Sequence, residues 1–159
     1  MTSTSSATSV DAERRAASGV FGEPGGRRVV YDTTVPLPPS SSPNRYSRWT
    51  NAKARKDLNK IGWGMYQAYS PGVRFERARM TITLRVCRHW RATEAYPAYR
   101  PLDGDNLIAA CKGLIDGIVR AGMLADDRTK YLDPPIGQLV EVATPFEEGL
   151  LVTIEEVQR

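Results

Sequence analysis

The stretch VRFERARMTITLRVC, residues 73–87, decides the class of fold. Ala78, Met80, Ile82, Leu84 and Val86 fall on one side of an extended chain, and Arg77, Arg79, Thr81, Thr83 and Arg85 on the other. Successive side chains of a strand point to opposite faces, so this alternation predicts a β-strand with one buried face. Such a face needs a cover, and the flanking segments offer one. Upstream, residues 49–69 are rich in Ala, Lys, Leu and Met, lack proline and read as a helix, with Gly62 and Gly64 weakening its middle. The tripeptide SPG, residues 70–72, stops it. Further upstream, residues 28–35 suit a strand that the prolines of LPPSSSP close.

Downstream, residues 88–100 contain Pro97 and no period, and read as a loop. A second helix follows, where Leu107, Cys111, Leu114 and Ile118 recur at steps of four, three and four, widened by Ile108 and Ile115, up to Gly122. Residues 138–143 and 150–157 read as two last strands joined by PFEEG as a hairpin turn. The order strand, helix, strand, helix, strand, strand predicts a mixed α/β (α+β) sheet packed by helices, in a single domain over residues 28–159. Residues 1–27, rich in Ser, Thr, Ala and Gly without a hydrophobic period, read as a disordered tail.

Composition narrows the function classes. The chain has 159 residues, 41% hydrophobic and 25% charged, and no apolar run approaches the ~20 residues that cross a bilayer. No signal-peptide pattern opens it, so a cytoplasmic protein is expected. Two cysteines, Cys87 and Cys111, make no disulfide framework, and one histidine, His89, makes a zinc site untenable. The net charge of +4 permits a polyanion partner. Residues 45–60 sharpen this, with Arg45, Arg48, Lys53, Arg55, Lys56 and Lys60 against the single acid Asp57, beside Tyr46 and Trp49. That cluster suits a phosphate-binding surface, or else a solvated helix face.

The acids are gathered at the two ends of the second helix: Asp103 and Asp105 in DGDN, then Asp126 and Asp127. Asp105 as an N-cap and the later pair as a polar turn account for them as ordinary structure. Asp103 and Asp105 together go further, since close carboxylates repel unless a cation lies between them. An EF-hand is excluded, because Leu107, Ile108 and Leu114 stand where that loop needs a ligand, a glycine and a glutamate. Asp105 and Gly122 lie about 25 Å apart along a helix, so Asp127 can rejoin Asp105 only if the chain returns beside it. Lys112, seven residues after Asp105, either leans back toward these acids or pairs with Asp116 four residues on.

D-x-D-N-L, a helix bearing a lysine, then a Gly turn and DD resembles the RusA-type Holliday junction resolvases. PNRYSRW with its basic helix and the long strand before the acids is similar to that family's layout, and the resemblance covers residues 28–157. It implies a homodimeric, Mg²⁺-dependent endonuclease that cuts four-way DNA junctions by paired nicks. Asp103, Asp105 and Asp127 would hold Mg²⁺. The family's lysine follows the second acid of its motif by four residues, where this chain has Ala109; counted back from the later acid pair, the role falls to Lys112. The helix carrying Arg48 to Lys60 and the arginines of the long strand are the candidates for phosphate contacts. Three alternatives stand beside this reading: a Mg²⁺ nuclease for other branched or flap DNA, a non-catalytic nucleic-acid-binding module, and a structural or protein-interaction domain.

Overall fold

The computed structural model describes residues 18–23, 26–33, 48–87 and 104–158. Its long strand, β3 (Ala78–Val86), has the expected faces: Ala78, Met80, Ile82, Leu84 and Val86 are buried and Arg79, Thr81, Thr83 and Arg85 are not. Around it, β1 (Gly19–Glu23), β2 (Gly26–Thr33), β4 (Ile136–Glu141) and β5 (Gly149–Glu156) complete a five-stranded sheet in the order β1-β2-β5-β3-β4. Only the β3–β4 pair is parallel. The register lines up apolar rows across three strands, Val29–Ile154–Met80 and Tyr31–Val152–Ile82. Each row presents its side chains to the same face, so any one-residue slip would turn a whole row to solvent.

The helices α1 (Arg48–Tyr69), α2 (Gly104–Ala110) and α3 (Lys112–Arg120) cover that face. The molecule is thus a single-domain α+β fold with a mixed sheet, as the sequence pattern predicts. Leu107, Cys111, Leu114 and Ile118, the predicted stripe, are fully buried. Each large apolar side chain so placed contributes roughly 1.5–3 kcal/mol. Burial pushes the Cys111 thiol up to about 12, so it acts as a small hydrophobe. It pushes the Tyr31 hydroxyl up to about 12 as well, and that hydroxyl meets the buried Ser70 Oγ at 2.5 Å.

Three expectations are corrected. The sheet begins at Gly19, not Arg28: β1 pairs with β2, Arg28 lies 5.9 Å above the Phe21 ring, and Ser18 Oγ accepts the Asp32 N–H at 2.8 Å. Five residues with two glycines carry too little hydrophobic pattern to announce an edge strand. The second helix is two segments meeting at Cys111 (φ −87°, ψ 2°), although the Cys111 and Ile115 N–H groups continue the ladder to Leu107 O and Cys111 O. A stripe at steps of three and four persists through one tightened residue, so periodicity does not reveal the joint. The last two strands do not form a hairpin, because β3 lies between them. Their connector wraps the end of β3, where Val142 donates to Val86 O at 3.0 Å and Glu148 accepts the Cys87 N–H at 2.9 Å. The 3₁₀ turn Pro145–Glu147 is capped by Glu147, which takes both the Thr144 N–H and hydroxyl at 3.0 Å. The loop read over residues 88–100 lies outside the described residues.

Helices α1 and α3 cross backbone on backbone. A Cβ at Gly62 would stand 2.3 Å from Leu114 O, one at Gly113 2.3 Å from Arg55 O, and one at Gly117 2.1 Å from Asn59 O. Gly62 is therefore the condition for the crossing. A Cβ at Gly64, two residues on, would meet nothing within 4 Å among the described residues, and none of them explains the glycine. Gly117→Ala drives a methyl into the facing backbone and should destabilise the protein by ~1–3 kcal/mol or more, as overpacking does; urea unfolding measures it. A change within experimental error would mean that the crossing can open at no penalty.

Candidate functional site

The N-terminus of α2 is fixed against the sheet by a second pair of glycines. A Cβ on Gly104 would lie 2.6 Å from Gly137 O, and one on Gly137 2.2 Å from Gly104 O. Asp105, exposed, sits in the first turn of α2. The helix starts one residue before it, so Asp105 is not the N-cap; its carboxylate still benefits from the helix dipole. Asp103 lies outside the described residues.

The later acids stand on a turn tied down on both sides. Met123 O accepts the Phe75 N–H at 2.8 Å, and Tyr131 O accepts the Ala78 N–H at 2.8 Å. Leu132 forms a bridge with Ala78, and Met123, Leu124 and Leu132 are buried. Asp126 serves the turn itself: its Oδ1 accepts the Asp127 N–H at 2.8 Å and its Oδ2 the Arg128 Nε at 2.5 Å. The Arg128 hydrogen bond leads in holding the Asp126 carboxyl below its usual range.

The chain does return beside the helix, at least to its middle. Lys112 Nζ contacts Asp127 Oδ2 and lies 3.0 Å from Asp116 Oδ1. Asp116 Oδ2 in turn accepts Arg55 Nη2, across the glycine crossing, at 2.6 Å. Lys112 thus pairs with Asp116, as the four-residue spacing predicts, while its second contact is with Asp127 and not with Asp105, toward which the sequence reading leaned it. Burial works to lower the Lys112 pKa, but hydrogen bonds to Asp127 and Asp116 outweigh it and raise the value above the ordinary one. Burial likewise works to raise the Asp116 pKa, but Arg55 and Lys112 together hold it below the ordinary value.

Asp105 and Asp127 both expose hard carboxylate oxygens, the donor type Mg²⁺ takes. The ammonium already resting on Asp127 marks a place where positive charge is held. Carboxylate oxygen is the donor type a divalent cation would meet at these two residues, and among the described residues no three His, Cys, Asp or Glu side chains gather as a metal cluster.

The basic residues divide. Arg55 is committed to Asp116. The strand arginines are committed too: Arg85 to Asp32, and Arg77 and Arg79 to Asp133 at 2.6 and 3.9 Å. Arg85 reaches Asp32 over Gly149, whose Cβ would lie 3.2 Å from the Arg85 guanidinium. Lys53, Lys56 and Lys60 are exposed on α1 and make no ion pair among the described residues. Arg45 lies outside the described residues, as does the side chain of Arg48. Sequence reasoning missed Arg55 as the support of Asp116. The spacing of Lys112 and Asp116 announced their pair, but nothing local ties positions 61 residues apart.

The two shifts set opposite limits. Asp116, depressed in the fold, adds stability above its ordinary 3.8 that is lost as pH falls through its folded value. Lys112, raised in the fold, adds stability below its ordinary 10.5 that is lost as pH rises through its folded value. Asp116→Asn should therefore lower stability by up to ~1 kcal/mol near neutrality and by nothing once the wild-type carboxyl is protonated; urea unfolding at the two pH values checks this. Comparison with protein-family models finds none that matches the chain, and comparison with curated proteins finds no match.

Proposed function

We propose that this chain is a Mg²⁺-dependent endodeoxyribonuclease that resolves four-way DNA junctions by paired symmetric nicks, as a cytoplasmic homodimer acting in recombination and repair. The observation that carries the reading is the ion pair between Lys112 and Asp127. Counted from DGDN, Lys112 is out of step with the lysine of RusA-type resolvases; counted from the later acids, it is in step. Its contact with Asp127 supports the second count and the likeness with it. No helix among the described residues is long and apolar enough to cross a membrane.

In this reading Asp103, Asp105 and Asp127 hold the metal. Mg²⁺ supplies Lewis-acid polarisation of the scissile phosphate and a water of lowered pKa. The protein's own residues do the rest. Lys112, charged at neutral pH as an ordinary lysine is and raised further by its two carboxylates, offers an ammonium to charge developing on the phosphate. Asp116, steadied by Arg55, restricts where that ammonium can swing. Lys53, Lys56 and Lys60 supply phosphate contacts that position DNA without reading bases. A two-fold axis between protomers matches the pseudo-symmetry of a junction and presents one site to each of two strands.

One observation favours a second reading. Among the described residues the acids do not gather into a three-ligand cluster. A non-catalytic nucleic-acid-binding module, in which they are turn and helix-end residues, accounts for that; a Mg²⁺ nuclease for other branched DNA keeps the same site with a different substrate.

A synthetic four-way junction, a flap and a matched duplex, each with Mg²⁺ or EDTA, separate these. The expected result is symmetric Mg²⁺-dependent nicks confined to the junction. Asp127→Asn and Lys112→Ala should each reduce cleavage by about 10²-fold or more, the scale for losing one charge-stabilising group, with junction affinity retained. Binding without cleavage assigns the binding module, flap cutting the other nuclease, and neither binding nor cutting removes all three.

A further inference from the structure

The outward face of α1 carries three features that no contact among the described residues uses. At 100° per residue, Lys53, Lys56, Lys60, Trp63 and Gly64 fall within an arc of about 100°, opposite the buried Leu58, Gly62, Met65 and Tyr66. The lysines are exposed and make no ion pair among the described residues, whereas Arg27, Arg55, Arg77, Arg79, Arg85, Lys112 and Arg128 each meet a carboxylate. Asp57 flanks the stripe, one carboxylate beside three ammoniums. Trp63 leaves 49% of its surface in solvent, a large apolar area for a lone side chain on a charged helix face.

Gly64 is the third feature. A glycine inside a helix is less favourable than alanine by about 1 kcal/mol, and a close neighbour usually explains it. Gly62 has that explanation; Gly64 has open space where its side chain would be. A local rule broken without a packing reason points to a function, and for glycine the reason is the close approach of something else's backbone.

We infer that this face of α1 binds a nucleic-acid strand with unpaired bases. Its phosphates lie along Lys53, Lys56 and Lys60, one base stacks on Trp63, and the strand passes close over Gly64. Cations along the track of the strand with an aromatic ring beside them are what sequence-tolerant single-strand binding needs. A paired duplex hides its base faces and offers Trp63 nothing, so the ring confers selectivity for melted or branched DNA over plain helix. The inference rests on the proposed function only for the class of partner, and it requires no cleavage.

The test is fluorescence anisotropy in EDTA, with labelled oligo(dT) of about 20 nucleotides and a duplex of equal length, so that a failure of the nuclease reading leaves it intact. Wild type should bind the single strand more tightly than the duplex. Trp63→Ala should lose roughly fivefold to a hundredfold on the single strand, the range for one stacked base, and little on the duplex, while Trp63→Phe retains most of the affinity. Lys56→Ala and Lys60→Ala should each reduce the slope of log K against log salt by about 0.7. Gly64→Ala should raise the melting temperature, and Gly64→Leu should weaken single-strand binding without lowering the melting temperature below that of Gly64→Ala by more than a few degrees. Equal affinity for strand and duplex, or no loss in Trp63→Ala, overturns the inference. So does competition by poly-glutamate as effective as unlabelled oligo(dT), which would make the face a general polyanion site. A Trp63→Ala protein that sediments as a smaller species with its affinity unchanged would make the face a protomer contact, and overturns it too.

Discussion

The crossing of α1 and α3 has no side chains at its centre, and the candidate site depends on it. Gly62 on one helix and Gly113 and Gly117 on the other let carbonyl groups stand where Cβ atoms would otherwise be. Each glycine of α3 follows a residue of the charged chain: Lys112 precedes Gly113, and Asp116 precedes Gly117. The approach that the glycines permit is therefore the approach that brings Arg55 to Asp116. A wider crossing would leave Asp116 with Lys112 alone, and the Lys112 ammonium with less to hold it. Packing density and electrostatics are here one constraint, since the same carboxylate that is partly desolvated by the crossing is compensated across it. Interiors transmit such displacements because they have little free volume to absorb them.

The sheet imposes a second constraint. Because β3 and β4 are parallel, the chain between them must cross over, and α2 and α3 are that crossover. The return from α3 to β4 then runs back alongside the helix, which is how Asp127 comes to Lys112. A hairpin between β4 and β5 would need β4 to turn back beside its successor; instead β5 inserts between β2 and β3 and leaves β4 at the edge. The contact of Gly104 with Gly137 fastens the head of the crossover to that edge strand. Asp105 is thus set by a strand, and Asp127 by a turn tied to β3.

What could be read in the sequence follows from the range of each interaction. The faces of β3 were legible because a period of two is local, and the apolar stripe from Leu107 to Ile118 was legible because steps of three and four are local. The Lys112–Asp116 pair was legible for the same reason. The order of the strands was not, since a connector such as residues 142–148 has the composition of a hairpin turn whether or not a third strand lies between its ends. The joint at Cys111 was hidden by the stripe that runs through it. Gly62 looked like a weakness in a helix, because its reason lies on another helix at Leu114. Asp105 was read as the cap, whereas it is the second residue of a helix that starts at Gly104, an error of the size that helix boundaries carry. The acids could be named but not assembled, and Asp103 lies outside the described residues.

The charge distribution connects these levels. A net charge of +4 says little by itself. Most of the arginines of the sheet and of the crossing meet carboxylates, so their fields close on themselves within a few ångströms. Lys53, Lys56 and Lys60 have no such partner among the described residues, and they share one helix face. Charge without a partner is felt beyond the surface, whereas a paired charge is felt mainly by its partner, and salt screens what remains over about 10 Å. The face of α1 turned away from Gly62 therefore offers a polyanion three such lysines side by side. The same helix brings its opposite face to the glycine crossing and through Arg55 reaches the chain of charges that ends at Asp127. One helix thus joins a row of lysines that make no ion pair among the described residues to the chain of charges that ends at Asp127.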